Sequence, residues 1–219
     1  MTNLTLVIGS KSYSSWSMRA WLMLAHTGAP FEEIVIHLDT AETREQILEH
    51  SPAGRVPIPK LGESTVWDSL AIGETLAEMF PDAGLWPAGS AARAHARAIC
   101  NEMHAGFTDL RHDMPFNPRA EGRTVPISGP LAADILRIQE IWADCRRNYG
   151  SDGEFLFGDF SIADAMFAPV VSRFRTYGVD VSPTSHVYMD AIWAHPPVQQ
   201  WCKGAEQEDY ITEIYEVGK

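Results

Sequence analysis

The sequence predicts an α/β unit followed by an all-helical one. Two patterns and the break between them carry that expectation. Over roughly the first eighty residues, short apolar runs alternate with stretches of helical spacing, as in a mixed sheet covered by helices. Beyond residue 90 the apolar residues recur almost only at helical spacing. Between the two, Pro81 to Ser90 (PDAGLWPAGS) has the Pro and Gly content of a linker. The expected division is 1–82, a linker at 83–90, and 91–219.

Leu4–Ile8 reads as a buried strand. A Ser-rich turn follows and opens a helix to about Thr27, with Met18, Trp21, Leu22 and Ala25 on one face. Gly28-Ala29-Pro30 stops it, with Gly at the end and Pro just beyond. Phe31–Leu38 is a second strand and Thr43–Glu49 a short helix. Val56–Leu61 and Thr65–Trp67 form a strand pair around a Gly62-Glu63 turn, and Ser69–Phe80 is an apolar-faced helix. Pro59 cannot donate to a ladder, which suits an edge strand or an unpaired position.

In the second unit, Ile99, Met103, Phe107, Leu110 and Met114 form one helical stripe, and Leu131, Ile135, Ile138, Trp142 and Cys145 another. Core packing accounts for both. Pro115–Pro130 between them is a loop. Ser161 and Asp164 have capping-box spacing, with Asp replacing the usual Glu or Gln. The residues after them are apolar on all sides, so this helix is expected to be buried and the box to serve folding.

Composition excludes several function classes. With 45% hydrophobic residues and seven Trp among 219 residues, a sizeable core is available. A net charge of −12 argues against nucleic acid or an anionic membrane as partner. No run is long enough to span a bilayer, and no basic and apolar leader opens the chain. Three scattered cysteines, Cys100, Cys145 and Cys202, form neither a disulfide framework nor a zinc motif. His104 and His112 would lie about 12 Å apart along a helix, so no metal site is expected. A cytoplasmic location is the expectation.

The segment richest in chemistry is Tyr13-Ser14-Ser15-Trp16-Ser17-Met18-Arg19. Hydroxyls at a helix entry stand beside backbone amides that lack intrahelical partners, at the positive end of the helix dipole. A thiolate, phosphate or carboxylate is stabilised in such a place. Ser14 or Ser15 equally serves as an ordinary helix cap.

Ser14-Ser15-x-Ser17 after the first strand, Gly54-Arg55-Val56-Pro57 before the third, and Asp68-Ser69-Leu70-Ala71-Ile72 at the third helix resemble the cytosolic glutathione transferase superfamily. The Ser161–Asp164 box is similar to that of the family's buried carboxy-terminal helix. The likeness covers essentially the whole chain and is greatest to the serine-type bacterial and zeta-like branch. Two positions depart from it. Trp16 stands where the zeta branch has Cys, and Asp68 where the family usually has Glu or Gln.

The resemblance implies a thioredoxin-like amino-terminal domain (βαβαββα), an all-helical carboxy-terminal domain, glutathione as co-substrate and a homodimer. It implies that Ser14 donates a hydrogen bond to the glutathione sulfur, with Ser15 and Ser17 as substitutes and Tyr13 as a rival. Ser69 would hold the γ-glutamyl carboxylate and Asp68 the ammonium. Val56 would pair with the cysteinyl residue, through a cis bond before Pro57. Arg55, with Lys11 as second candidate, would neutralise the glycyl carboxylate. Arg19 would support structure by pairing with an acid. A small hydrophobic electrophile would lie against Trp16, Met103, Phe107, Arg111 and Met114.

The reading that follows is a detoxifying glutathione S-transferase. The alternatives are a zeta-type cis–trans isomerase and a non-catalytic binding or regulatory relative. Disulfide exchange is disfavoured because no Cys lies near the first helix.

Overall fold

The computed structural model describes residues 4–62 and 64–219. Its elements are β1 (Leu4–Gly9), α1 (Ser15–His26), β2 (Phe31–Ile36), α2 (Thr43–Leu48), β3 (Ile58–Leu61), β4 (Ser64–Thr65) and α3 (Ser69–Met79). Six helices follow: α4 (Ser90–Ala105), α5 (Thr108–Asp113), α6 (Gly129–Tyr149), α7 (Ile162–Thr176), α8 (Pro183–Ala194) and α9 (Pro196–Glu206). The expected order βαβαββα is present. Glu63, half of the expected turn, lies outside the described residues.

The sheet order is β2-β1-β3-β4, with β1 parallel to β2 and antiparallel to β3. Alternation along β1 sends Leu4, Leu6 and Ile8 into the main core, while Val7 joins Ile36, Ile47 and Ile58 in a small second cluster. β3 is thus an inner strand in order, contrary to an edge position. Pro59 is tolerated because β4 pairs only with Lys60 and Leu61, beyond it. β4 also starts one residue earlier than Thr65 and stops before Val66 and Trp67, which leaves Trp67 exposed.

The main core is continuous between the two units: Trp21 and Leu22 of α1, Ile72 of α3, Met103 of α4 and most of α7 belong to one cluster. α7 is buried except at Arg175 near its carboxy end, so its amino end needs internal partners. Asp164 supplies them. Its carboxylate accepts from Ser161 N and Oγ, both at 2.9 Å, from Leu156 N at 3.0 Å and from Tyr188 Oη at 3.2 Å. Leu85 O accepts the Ile162 amide at 2.9 Å, so the linker is built into the fold rather than a loose tether.

The first helical stripe is buried as expected but does not lie on one helix. The chain breaks at Gly106, and Phe107 adopts φ 58°, before α5 resumes. A side chain on Gly106 would meet Glu102 O at 2.9 Å, so the break needs glycine there.

Candidate functional site

A cleft of about 490 Å³ opens where the amino ends of α1 and α3 meet the segment before β3. Arg55, Val56, Pro57, Asp68 and Ser69 line it, together with Trp16. Three separate sequence motifs are therefore brought to one wall. The Val56–Pro57 bond is cis, as the resemblance implies. The Val56 backbone has no protein hydrogen-bond partner among the described residues.

Asp68 is the N-cap of α3, held at φ 74°, a backbone region that costs roughly 1–3 kcal/mol for a residue with a side chain. Its Oδ1 accepts the Leu70 amide at 3.0 Å, and Oδ2 lies 2.7 Å from His104 Nε2 on α4. Ser69 is buried, yet its hydroxyl has no partner among the described residues. A hydroxyl orphaned beside a free helix-end amide is poised for an anionic group. Arg55 is exposed at the rim of the same cleft.

Ser14 caps α1. Its Oγ accepts the Ser17 amide at 3.2 Å and donates to Ser17 Oγ at 2.8 Å, and Ser17 Oγ also accepts Gly9 N at 2.9 Å. The amides of Ser15 and Trp16 have no partner among the described residues. Ser14 and Ser15 are buried and do not line the cleft, which their neighbour Trp16 does. The Ser15 hydroxyl accepts Arg173 Nη2 at 3.5 Å and its own proton is uncommitted. Tyr13 points elsewhere: its hydroxyl accepts from Arg119 at 2.8 Å and donates to Glu216 at 3.2 Å. Lys11 is likewise removed from the cleft, paired with Glu33 at 2.6 Å and packed near Trp21 and Trp201.

Arg19 does not pair with an acid. Its Nε donates to Met166 O at 2.9 Å, and its guanidinium lies 4.5 Å from the Trp16 ring centre. Arg111 lies over the same ring at 4.6 Å and donates to Met103 O and Gly106 O. Arg173 donates to Met114 O at 2.8 Å. No carboxylate lies within ion-pair distance of any of the three among the described residues. Burial first, and then Arg111 and Arg173, hold Arg19 well below its ordinary range. Burial and Arg111 lower Arg173 to about 9, and burial lowers Arg111 to about 10 despite Asp134. Arg19 Nη2 and Arg111 Nη1 are buried without partners. Three cations share a corner beside Ser15 and Trp16 with no ion-paired carboxylate among the described residues, an arrangement that favours an anion.

Met103 and Phe107 do not wall this cleft. Met103 is fully buried and Phe107 nearly so, both on the apolar stripe that packs into the core. Met114 is fully buried as well. Of the expected pocket residues, Trp16 lines the cleft and Arg111 reaches its side through Trp16.

The family model for the glutathione S-transferase N-terminal domain matches residues 13–79, and that for the C-terminal domain matches residues 131–204. Together they take in more than half of the chain. The chain belongs to the glutathione S-transferase superfamily. A Burkholderia glutathione transferase homolog, solved with bound glutathione, superposes with a TM-score of 0.69 at 27% identity, over 94% of this chain and 100% of that one. A probable maleylacetoacetate isomerase of Caenorhabditis elegans is 29% identical over 84% of this chain and 85% of its own length. A stringent starvation protein A homolog of Haemophilus ducreyi is 24% identical over 75% and 72%. No helix among the described residues is long and apolar enough to cross a membrane.

Two participants were missed in the sequence. The spacing of His104 from His112 raises only metal ligation, yet His104 partners Asp68 and sets its ring edge-on to Trp16 at 5.2 Å. Arg173 carries no local signal at all; only the fold brings it to Ser15.

Proposed function

We propose that this transferase-family chain binds glutathione in the cleft and ionises its thiol at the amino end of α1. The buried, unpartnered hydroxyl of Ser69 carries the reading. It and the free Ser69 amide suit the γ-glutamyl carboxylate, Asp68 suits the ammonium, and the unpaired backbone of Val56 suits the cysteinyl amide. Arg55 at the rim suits the glycyl carboxylate.

Ser14 is the proposed donor to sulfur. Its hydroxyl turns from Ser17 Oγ to the thiolate, exchanging a neutral bond of about 0.5–1.5 kcal/mol for a charge-assisted one of about 1.5–3. Ser17 Oγ keeps the Gly9 amide meanwhile. The helix end adds up to ~1 kcal/mol. The sum of about 2 kcal/mol lowers a thiol titrating near 8.5 by roughly 1.5 units. Ser14 stays protonated, and no general base is required.

The arginine corner favours a second reading within the same mechanism: the electrophile carries a carboxylate. Arg111 is the partly exposed member, and its enclosed Nη1 lacks a partner. Glutathione-dependent cis–trans isomerisation of an unsaturated acid then competes with conjugation of a neutral electrophile, in keeping with the isomerase named among the relatives. A homodimer is part of the proposal on family grounds.

Calorimetric titration with glutathione tests the binding. Paired acidic and neutral electrophiles, assayed with Arg111→Met, test the second substrate. Loss of about ten-fold or more confined to the acid supports the carboxylate reading, and equal loss on both removes it.

A further inference from the structure

Tyr13 directly precedes Ser14 and is 4% exposed, yet its hydroxyl is a hub outside the cleft. It accepts from Arg119 Nη2 at 2.8 Å and Thr212 N at 3.2 Å, and donates to Glu216 Oε1 at 3.2 Å. Its ring stacks on Tyr215 at 4.9 Å. Glu216 is further held by Arg123 and by Asn117 Nδ2 at 2.8 Å. The same segment grips the turn from its other end. The Glu208 carboxylate accepts the amides of Lys11 at 2.7 Å and Ser12 at 2.9 Å.

Tyr215 also donates to Asp39 Oδ2 at 2.8 Å, and Tyr210 stacks on His37 at 4.2 Å. The tail therefore crosses the loops that leave β1 and β2, while Arg119 and Arg123 tie it to the segment after α5. Little core holds it there. The buried apolar residues end at Ala205 among those described, and Ile211 and Ile214 are 63% and 64% exposed. An element held by polar and aromatic contacts alone belongs to the readily opened end of a structure.

We propose that the carboxy-terminal segment is a positioning strap for the Ser14 turn. Glu208 and Glu216 are positioning residues. They act through the Lys11 and Ser12 amides and through Tyr13, and so fix where the Ser14 hydroxyl and the free amides of Ser15 and Trp16 stand. The catalytic part of this inference rests on the thiol-ionising role proposed for that turn. A displaced hydroxyl loses much of a charge-assisted bond, so loosening the strap lowers turnover rather than glutathione affinity, whose anchors lie at α3 and Val56.

The test compares wild type with Glu216→Gln, Tyr13→Phe and Glu213→Gln in the full-length protein. Glu213 lies on the same tail, is exposed, and its side chain has no hydrogen-bond or ionic partner among the described residues, so its variant is the control. Amide hydrogen exchange of the Tyr13–Met18 stretch is read alongside the thiolate absorbance of bound glutathione. Glu216→Gln and Tyr13→Phe are expected to exchange about ten-fold faster there and to turn over about five-fold more slowly, with glutathione affinity changed less than about two-fold. Glu216→Asp recovers most of the loss.

Exchange and turnover equal to wild type in both variants overturn the strap. Faster exchange with an unchanged thiol titration and turnover overturns its catalytic role and leaves a docked tail. Absence of a bound thiolate in wild type defeats the Ser14 reading by itself and the catalytic role with it, while the exchange comparison still decides whether the tail holds the turn.

Discussion

Replacing Ser14 by Gly and, separately, by Ala divides the two things its hydroxyl does. In the structure that hydroxyl caps α1 through the Ser17 amide at 3.2 Å and donates to Ser17 Oγ at 2.8 Å. Loss of an N-cap to Ala costs about 0.5–2 kcal/mol, and to Gly only a few tenths. Loss of the hydroxyl removes its net preference for the thiolate, about 1 kcal/mol after the neutral bond to Ser17 is set against the charge-assisted one, whichever residue replaces it, which raises the bound thiol by roughly 1 unit. Ultraviolet thiolate absorbance of the glutathione complex across pH reads the second quantity, and thermal unfolding reads the first. Both variants should show the raised thiol titration and about ten-fold or more lower turnover near neutrality, while only Ala clearly lowers the melting temperature. A Gly variant whose bound thiol titrates as in wild type refutes the argument. Ser14 would then be a cap alone, and the uncommitted proton of Ser15 would be the donor to examine by Ser15→Ala.

Other outcomes follow from separate parts of the molecule. Asp68→Ala removes both a helix cap and the partner of His104, and should weaken glutathione binding about ten-fold; an unchanged dissociation constant takes Asp68 out of the site. Asp164 is fully enclosed and accepts four hydrogen bonds, so Asp164→Asn should destabilise by about 3 kcal/mol or more and lower the melting temperature by roughly 6–12 °C. A loss under ~1 kcal/mol would mean that α7 finds other partners. Burial, and then His26, lower His195 to about 4, with its ring stacked on Phe160 at 4.3 Å. Between about pH 6.5 and 4 the unfolded chain binds this proton and the folded one does not, so His195 stabilises the fold above that window and the benefit is lost as pH falls through it. His195→Phe should flatten the acid limb of the stability curve there, and an unaltered limb would contradict the assignment.

Much of the fold was legible because its signals are local. The apolar run of β1, the Gly-Pro stop after α1 and the Ser161–Asp164 spacing each act within a few residues, and β1, α1 and α7 lie close to where these signals put them. The break at Gly106 was not legible. The apolar period runs through it, and the stripe stays buried whether the helix is straight or kinked. The cleft was legible as three motifs whose order matches a family, since composition alone assigns Asp68-Ser69 to capping. The arginine corner was hidden for a different reason. Arg19, Arg111 and Arg173 lie on α1, α5 and α7, and nothing local distinguishes them from arginines that pair with acids. Their meeting is what favours the acid-bearing electrophile proposed above over a purely apolar one.

Wild-type protein titrated with reduced glutathione near neutral pH, with thiolate absorbance followed to saturation, reaches the central idea most directly. Free glutathione ionises only to a few per cent there, and about half of the bound thiol should be ionised. A saturable thiolate band of that size is the expected result. Saturable binding without the band, or no binding, would contradict it.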